Sequence, residues 1–160
     1  MAERQAALRS DAFIVVVGCG RLGAHVASRL SAAGCGVVVV DCREEAFAGL
    51  SAEFSGFRVE GDATEMALLR KAKVEQADMV IAATREDNVN LMVAQIALNV
   101  LGTRRVVARV TDPHREAVFR ELGIETICPT TLGADLLLKS LSEPAPPAGS
   151  TAPVAPEGRP

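Results

Sequence analysis

The fold is decided by FIVVVGCGRLGAHVASRL, residues 13–30, where an apolar run passes through three glycines into a second apolar pattern of different spacing. Residues 13–17 form a short, mostly β-branched run, which is typical of a buried strand. Residues 21–33 carry leucine, valine and alanine at helical spacing. Between the two runs lie the glycines of a GxGxxG motif: Gly18, Gly20 and Gly23. The stretch therefore predicts a strand, a tight glycine turn and a helix in direct succession.

Each glycine of this turn has a separate physical role in binding a phosphate. Gly18 permits the tight turn, Gly20 lets a phosphate approach the backbone, and Gly23 lets the helix pack closely on the strand. The N-terminus of the helix adds free N–H groups and a partial positive charge. We therefore predict a nucleotide site here that also includes the intervening residues Cys19, Arg21 and Leu22.

A carboxylate follows the second predicted strand. Residues 37–40 are four valines, and Asp41 comes next, 18 positions after Gly23. A carboxylate at this point accepts hydrogen bonds from the 2′ and 3′ hydroxyls of a ribose. Asp41 disfavours a 2′-phosphate, so the predicted ligand is NAD(H) or an adenosine phosphate rather than NADP. Arg43 has two interpretations. It weakens the preference against NADP if it binds a 2′-phosphate, as an arginine at this position can, or it is a solvated residue at a helix start. Cys42, between the two, is included in the predicted site.

The rest of the chain repeats the strand-and-helix alternation. Further strands are predicted at 57–60, 79–83, 105–110 and 124–128, and further helices at 44–54, 64–73, 86–101, 112–122 and 132–141. Thr64 and Asp112 are predicted as N-caps of their helices. The strands are continuous apolar runs, so both faces of the sheet must be covered. We expect an α/β fold: a Rossmann-like, doubly wound, parallel sheet of six strands with helices on both faces.

Three more residues fall at the carboxyl edge of this predicted sheet. Asp62 follows the third strand, on the side where an adenine would rest, and is also a good capping residue. Thr84 closes the fourth strand, where it would face the phosphates. Arg109 is a lone charge in an apolar run and must find an anion, either a ligand phosphate or an internal carboxylate. Arg21, in the glycine turn, is either a ligand of the distal phosphates or an exposed arginine at the helix start.

Composition excludes several classes of function. The chain has 160 residues, with 17 Lys and Arg against 20 Asp and Glu, so a broad nucleic-acid surface is not expected. It has no Tyr, which excludes chemistry that uses a tyrosine as acid or base. Its four cysteines and two histidines lack the spacing of metal ligands. The cysteines are expected to be buried free thiols in a reducing cytoplasm. No apolar run approaches the roughly 20 residues that span a bilayer. We predict a soluble cytoplasmic protein without a metal centre or direct membrane insertion.

Composition also divides the chain. Residues 1–11 are predicted to be an N-terminal extension and residues 12–142 the nucleotide-binding domain. Residues 143–160 include six prolines among Ala, Gly, Ser and Thr. Such a segment buries too little apolar surface to offset the entropy of ordering it, so we predict a disordered tail.

The order GxGRxG, VD, GDAT, AATxxDN and VARV, over residues 12–141, resembles the nucleotide-binding N-terminal half of RCK domains. These are also called KTN domains, the regulatory subunits of Trk-type potassium uptake. GDAT and the arginine of VARV are the specific parts, because a generic Rossmann domain has neither. The resemblance implies binding of an adenine nucleotide: NAD(H), ATP or ADP, with AMP also possible. It implies a homodimer or larger ring that binds a membrane-embedded potassium channel or transporter at the inner face of the plasma membrane. The bound nucleotide would then bias the gate of that channel or transporter.

The resemblance also implies roles for individual residues. Arg21 and Arg109 match phosphate ligands, Asp41 matches the ribose ligand, and Asp62 with Ala63 matches the adenine end. Glu121 matches a glutamate that binds a divalent cation in some members, against the alternative of a solvated residue at a helix end. Family members usually continue into a C-terminal ligand-binding subdomain. Here a proline-rich segment follows instead, as expected of a minimal protein or of a shortened one.

Two other functions are alternatives to the regulatory one. A small NAD-dependent oxidoreductase needs a substrate domain and a proton-transfer residue near the nicotinamide. The ordered residues leave little room for such a domain, and His25 and His114 lie in predicted helices. No catalytic residue is therefore predicted. An oligomerisation scaffold with an inactive nucleotide site is the second alternative.

The helix predicted at 86–101 points to self-association. Residues 89–101 read VNLMVAQIALNVL and contain no charge. A helix on the surface of a monomer normally shows a polar stripe, and a contiguous exposed apolar patch is rare. We expect a twofold contact through this helix and the helix at 113–122.

Overall fold

The computed structural model describes residues 11–142, in which strands and helices alternate as predicted. The strands are β1 Phe13–Val17, β2 Gly36–Asp41, β3 Phe57–Glu60, β4 Met79–Ala82, β5 Val106–Arg109 and β6 Glu125–Ile127. The helices are α1 Arg21–Ala32, α2 Met66–Lys71, α3 Asp87–Gln95, α4 Glu116–Glu121 and α5 Pro129–Ser142. Short 3₁₀ turns cover Glu44–Gly49, Val74–Gln76 and Pro113–Arg115, and a π-helical turn, Ile96–Val100, extends α3. The predicted tail and all of the predicted N-terminal extension except Asp11 lie outside the described residues.

All six strands are parallel and lie in the order β3-β2-β1-β4-β5-β6. The predicted six-stranded, Rossmann-like sheet is therefore confirmed. The chain reverses its winding direction between β1 and β4, and at such a point the connections leave in opposite directions and open a crevice. Val17 of β1 is in register with Val40 of β2 and Ala82 of β4. The residues that follow these three strands consequently meet at one edge.

The sheet is covered on both faces, because alternate residues of each strand point to opposite sides. Ile14 and Val16 of β1 face one core, which α1 and the 3₁₀ turn at Glu44–Gly49 cover. Val15 and Val17 face the other core, against α2, α3 and Phe119 of α4. Burial on both faces explains why the four central strands are continuous apolar runs, whereas the edge strands β3 and β6 are largely exposed and carry charged residues.

The helix predicted at 44–54 is wrong beyond its first turns. The 3₁₀ turn ends at Gly49, and Leu50 adopts an extended backbone with ψ of 148°. Phe47, Leu50 and Phe54 are nevertheless all buried in the core beneath α1. A turn followed by irregular chain thus buries all three side chains without forming a helix. Their spacing along the sequence reflects contact with the core and not a local helix.

The capping predictions have different outcomes. Oδ1 of Asp112 accepts the N–H of His114 at 3.0 Å, as expected of an N-cap. Thr64 is not an N-cap: α2 begins only at Met66, and Oδ1 of Asp62 accepts the N–H of Thr64 at 2.8 Å. Because Asp62 makes this local turn, the helix starts two residues later than predicted.

The last helix, α5, has no buried residue. Its leucines are exposed, from 52% at Leu132 to 80% at Leu141. Val118 of α4, Leu122 just after it and Ile127 of β6 are also exposed large apolar residues. None of the helices within residues 11–142 has the length and hydropathy needed to span a bilayer.

Candidate functional site

A cleft of about 600 Å³ lies at the carboxyl edge of the sheet, over the point where the strand order reverses. It brings together ten of the twelve predicted site residues: Gly18, Gly20, Arg21, Leu22, Asp41, Cys42, Asp62, Ala63, Thr84 and Arg109. Cys19 and Gly23 do not line it. Arg43, Arg85 and Pro129 are among the further residues of its wall.

The three glycines differ in what surrounds them. Gly18 has φ of +99°, and a Cβ there would lie 2.7 Å from the backbone nitrogen of Thr84. A Cβ on Gly23 would overlap the carbonyl oxygen of Gly18. A Cβ on Gly20 would meet no atom within 4 Å. A side chain at Gly18 or Gly23 would thus clash with neighbouring backbone atoms. The absence of a side chain at Gly20 instead leaves the start of α1 open toward the cleft.

Asp41 ties the glycine turn to the end of β2. Its Oδ2 accepts the N–H of Cys19 at 2.7 Å, and its Oδ1 accepts the N–H of Arg43 at 3.0 Å. The Asp41 side chain is only 11% exposed, and Nε of Arg43 lies 4.0 Å from Oδ1. A carboxylate oxygen accepts more than one hydrogen bond, so both oxygens retain capacity for hydroxyl donors.

The two cysteines beside Asp41 differ in environment. Cys19 is buried, and burial first and the negative charge of Asp41 second raise its thiol pKa to about 11, against a smaller opposing effect of Arg58. The Cys19 thiol is therefore neutral at physiological pH. Cys42 is exposed, contrary to the expectation that all four thiols would be buried. All four cysteines are free.

Asp62 and Ala63 form the end of the cleft next to β3. The backbone N–H of Thr64, and secondarily its hydroxyl, lower the pKa of the Asp62 carboxyl. Asp62 is therefore an exposed, ionised acceptor in a fixed local turn, next to the buried Ala63.

Arg109 and Thr84 form the opposite wall, at the ends of β5 and β4. The Nε of Arg109 is buried and has no hydrogen-bond partner among the described residues. Within residues 11–142, no carboxylate forms an ion pair with the Arg109 guanidinium. The second alternative, an internal carboxylate as the partner of Arg109, is therefore not found within residues 11–142. Buried cationic donors without partners are costly, so this arrangement favours an anion supplied from outside.

Two residues at the start of α3 were not recognised from the sequence as parts of the site. Asn90 is fully buried and hydrogen-bonds to both Thr84 and Arg109. Asp87 is also buried, and its carboxylate accepts the N–H of Thr111 at 2.8 Å. The signal in the sequence was polarity: a carboxylate and an amide stand three positions apart at the start of the helix, a spacing that places them on one helix face. Arg85, on the cleft wall, was also missed, although it lies only three positions after the end of β4.

The remaining candidates lie elsewhere. Glu121 is exposed at the end of α4 and does not line the cleft. His25 lines a neighbouring shallow cavity over α1, and His114 is exposed beyond β5. Among the described residues, no group of three or more His, Cys, Asp or Glu side chains is arranged to hold a metal ion.

Comparison with known proteins identifies similar sequences. The family model of the TrkA-N domain matches residues 14–129. A Trk system potassium uptake protein TrkA of Streptomyces coelicolor is 37% identical over 128 residues, which cover 80% of this chain and 57% of that protein. A TrkA homolog of Pyrococcus abyssi is 31% identical over 110 residues, covering 69% of this chain and 48% of that protein. The chain thus spans about half the length of these relatives.

Solved structures show the same fold. The TrkA-N domain of the inner membrane protein ybaL from Escherichia coli superposes with a TM-score of 0.71 at 19% identity, covering 85% of this chain and 99% of that one. The Kef C-terminal domain of Shewanella denitrificans, in an AMP-bound form, gives 0.70 at 23% identity, covering 82% of each chain. The GsuK channel bound to NAD gives 0.62 at 19% identity, covering 73% of this chain and 21% of that one.

Proposed function

The chain belongs to the TrkA-N domain family, and from this premise we propose that its cleft binds an adenine nucleotide and that the domain is a regulatory module of a potassium channel or transporter. The proposed ligand is NAD(H), ATP, ADP or AMP, each of which carries an adenosine phosphate with free ribose hydroxyls. The module would act in the cytoplasm, at the membrane only through its partner.

The observation that carries the proposal is the buried Nε of Arg109, which has no hydrogen-bond partner within residues 11–142 and lies in a cleft that Asp41 bounds on the opposite side. A phosphate between the open backbone of Gly20 and Arg109 would supply the missing acceptor. The ribose would then lie toward Asp41 and the adenine toward Asp62. Arg21, exposed at the first position of α1, would meet the outermost phosphate.

A regulatory role is favoured over catalysis by the placement of the histidines. A dehydrogenase needs an acid or base within reach of the nicotinamide. Both histidines of the described chain lie outside the cleft, on α1 and beyond β5. The named relatives are potassium uptake proteins, and the similar structures include a channel bound to NAD and a Kef domain in an AMP-bound form. These support adenine nucleotides as the ligand class.

The proposed mechanism is a binding switch. Phosphate would neutralise Arg21 and Arg109 and draw the glycine turn toward β5. Ligands that differ in phosphate number would stabilise different arrangements of the assembled subunits, because a ligand shifts an equilibrium only by its differential affinity for the two states.

A panel of NAD⁺, NADH, NADPH, ATP, ADP and AMP, tested by thermal shift and calorimetry, examines the ligand assignment. A ligand at a hundred times its dissociation constant stabilises the folded state by about 2.7 kcal/mol, so binding will raise the unfolding temperature measurably. We expect stabilisation by the ligands with a free 2′ hydroxyl and less by NADPH. The absence of any shift across the panel would remove the proposed function.

Within this panel, Asp41→Ala is expected to weaken the binding of AMP or NAD by about 1–3 kcal/mol, because it leaves ribose hydroxyl donors unpaired. Asp78→Ala is the matched control. Its carboxylate also accepts an N–H next to β1, that of Phe13 at 2.9 Å, but at the opposite edge of the sheet. The control should lose stability without losing affinity. If wild-type protein binds NADPH best, the role given to Asp41 is wrong.

We also propose that the domain self-associates, through a surface that includes α5 and so differs from the one expected from the sequence. Val93, Ala94 and Ala97 of the long helix are buried against the sheet, so much of its apolar character serves the core. The exposed apolar surface lies mainly on α5, where Leu137 and Leu141 are 67% and 80% exposed. A helix with no buried residue gains little from its own subunit, which favours a second copy as its cover.

Sedimentation velocity at micromolar concentration is expected to show a species heavier than the 16.8 kDa monomer. Leu137→Asp with Leu141→Asp should shift it to monomer, because two carboxylates would have to be buried in the contact. Lys139→Ala, on the same helix, is the control and should leave the assembly unchanged. A wild-type monomer, with or without nucleotide, would contradict both the contact and the switch that depends on it.

A further inference from the structure

Asn90 links the two strand ends that form the Arg109 wall of the cleft. Its Oδ1 accepts the backbone N–H of Thr84 at 2.9 Å and the Thr84 hydroxyl at 2.7 Å. Its Nδ2 donates to the carbonyl oxygens of Thr84 at 3.1 Å and of Arg109 at 2.9 Å. All four hydrogen-bonding positions of the carboxamide are therefore used.

We propose that Asn90 is a positioning residue for nucleotide phosphate: from α3, it holds the ends of β4 and β5 so that Thr84 and Arg109 face the ligand. This inference rests on the proposed nucleotide site and adds a determinant that does not line the cleft. Asn90 would act only through the two residues to which it is bonded.

The chemistry of the contacts explains why this position is an asparagine. The strand ends present two donors, both on Thr84, and two carbonyl acceptors, one on Thr84 and one on Arg109. Aspartate lacks the two donors, and an aliphatic side chain lacks all four groups. Because the side chain is 0% exposed, water cannot replace a lost partner without entering the core.

A second contact on the same face of α3 supports this assignment. Asp87, three residues before Asn90, accepts the N–H groups of Thr111 at 2.8 Å and Asp112 at 3.3 Å. Its carboxylate also lies 3.8 Å from Nη1 of Arg115. Residues three apart share a helix face, so the start of α3 holds both Arg109 and the chain that follows it. The two contacts thereby fix the chain at the Arg109 carbonyl and just after it, while the guanidinium Nε of Arg109 is left for a ligand.

The test compares AMP with adenosine, which differ only in the phosphate. In Asn90→Ala, affinity for AMP is expected to fall about tenfold or more, while affinity for adenosine changes by less than about twofold. A residue with only a structural role would lower stability without separating the two ligands. Calorimetry well below the unfolding temperature, with a parallel urea titration, measures both properties.

Thr103→Val is the matched control. Thr103 is also buried, and its hydroxyl donates to the carbonyl of Val74 at 3.0 Å, before β5 rather than after it. The control should lose stability and keep the wild-type preference for AMP over adenosine. Equal AMP preference in Asn90→Ala and wild-type protein would overturn the inference.

A measurement on the unmodified chain covers the case in which Asn90→Ala does not fold. The side-chain ¹⁵N–¹H resonances of Asn90 are expected to move on addition of AMP and to stay in place with adenosine. Unchanged resonances at saturating AMP would refute the positioning role. Failure of the wild-type protein to bind AMP at all would instead remove the proposed function, so the two failures are distinguishable.

Discussion

Gly23→Ala is expected to destabilise the folded protein by about 3 kcal/mol or more, a large part of the stability of a domain of this size. The added Cβ would overlap the carbonyl oxygen of Gly18, which is backbone and cannot rotate away. Gly18 itself cannot retreat easily. Its N–H donates to the carbonyl of Val40 at 2.7 Å, and its Cα faces the backbone of Thr84. Urea unfolding of the variant measures the loss.

Gly20→Ala separates packing from binding in the same turn. Gly20 has φ of −72°, which alanine adopts without strain, and a Cβ there would contact nothing within 4 Å. This variant should fold with nearly wild-type stability but bind nucleotide more weakly, because the methyl group occupies the approach to the backbone. Equal destabilisation by Gly20→Ala and Gly23→Ala would contradict the separate roles assigned to the two glycines.

Arg109→Met is expected to produce the largest loss of binding, roughly 2–3 kcal/mol or about a hundredfold in the dissociation constant of AMP. A charge-assisted hydrogen bond to phosphate in a partly buried site is among the stronger polar interactions. The free energy of unfolding should stay the same or increase, since the substitution removes a buried donor that has no partner within residues 11–142. Methionine retains most of the apolar volume of the arginine stem.

Arg105→Met controls for the loss of an arginine next to the same strand. Arg105 precedes β5 at the opposite edge, where its Nε and Nη2 donate to Glu125 at 2.9 and 2.8 Å. Its substitution should leave AMP affinity unchanged. In addition, wild-type affinity should fall as salt rises, and Arg109→Met should reduce that dependence. An Arg109→Met protein that is less stable but binds AMP normally would show that Arg109 has a structural role.

Much of the fold follows from local features of the sequence. The valine runs, the glycine turn and the helical spacing after it predict β1 and α1 almost to the residue, because each depends only on neighbours along the chain. The continuous apolar strands likewise indicate a sheet covered on both faces. Ten predicted site residues meet in one cleft for the same reason: parallel strands in register bring their carboxyl ends to one edge.

Spacing alone was insufficient where burial competes with local structure. Phe47, Leu50 and Phe54 have the spacing of a helix face, yet the chain leaves the 3₁₀ turn at Leu50 and continues as irregular chain. The apolar helix at residues 89–101 indicated an exposed face, but the sheet covers much of it, and α5 carries the larger exposed surface. Both outcomes depend on which side of the sheet a segment reaches.

The sequence by itself determined the class of fold, the glycine turn and the carboxylate after β2, because spacing and residue type along the chain specify them. Only the tertiary structure decided that Asp41 also holds Cys19, that Asn90 joins Thr84 to Arg109, and that the Arg109 Nε has no partner in the described chain. Two of these contacts join residues 22 and 19 positions apart. They exist because strand register sets the separation of the strand ends to hydrogen-bonding distance, and no periodicity within one segment carries that information.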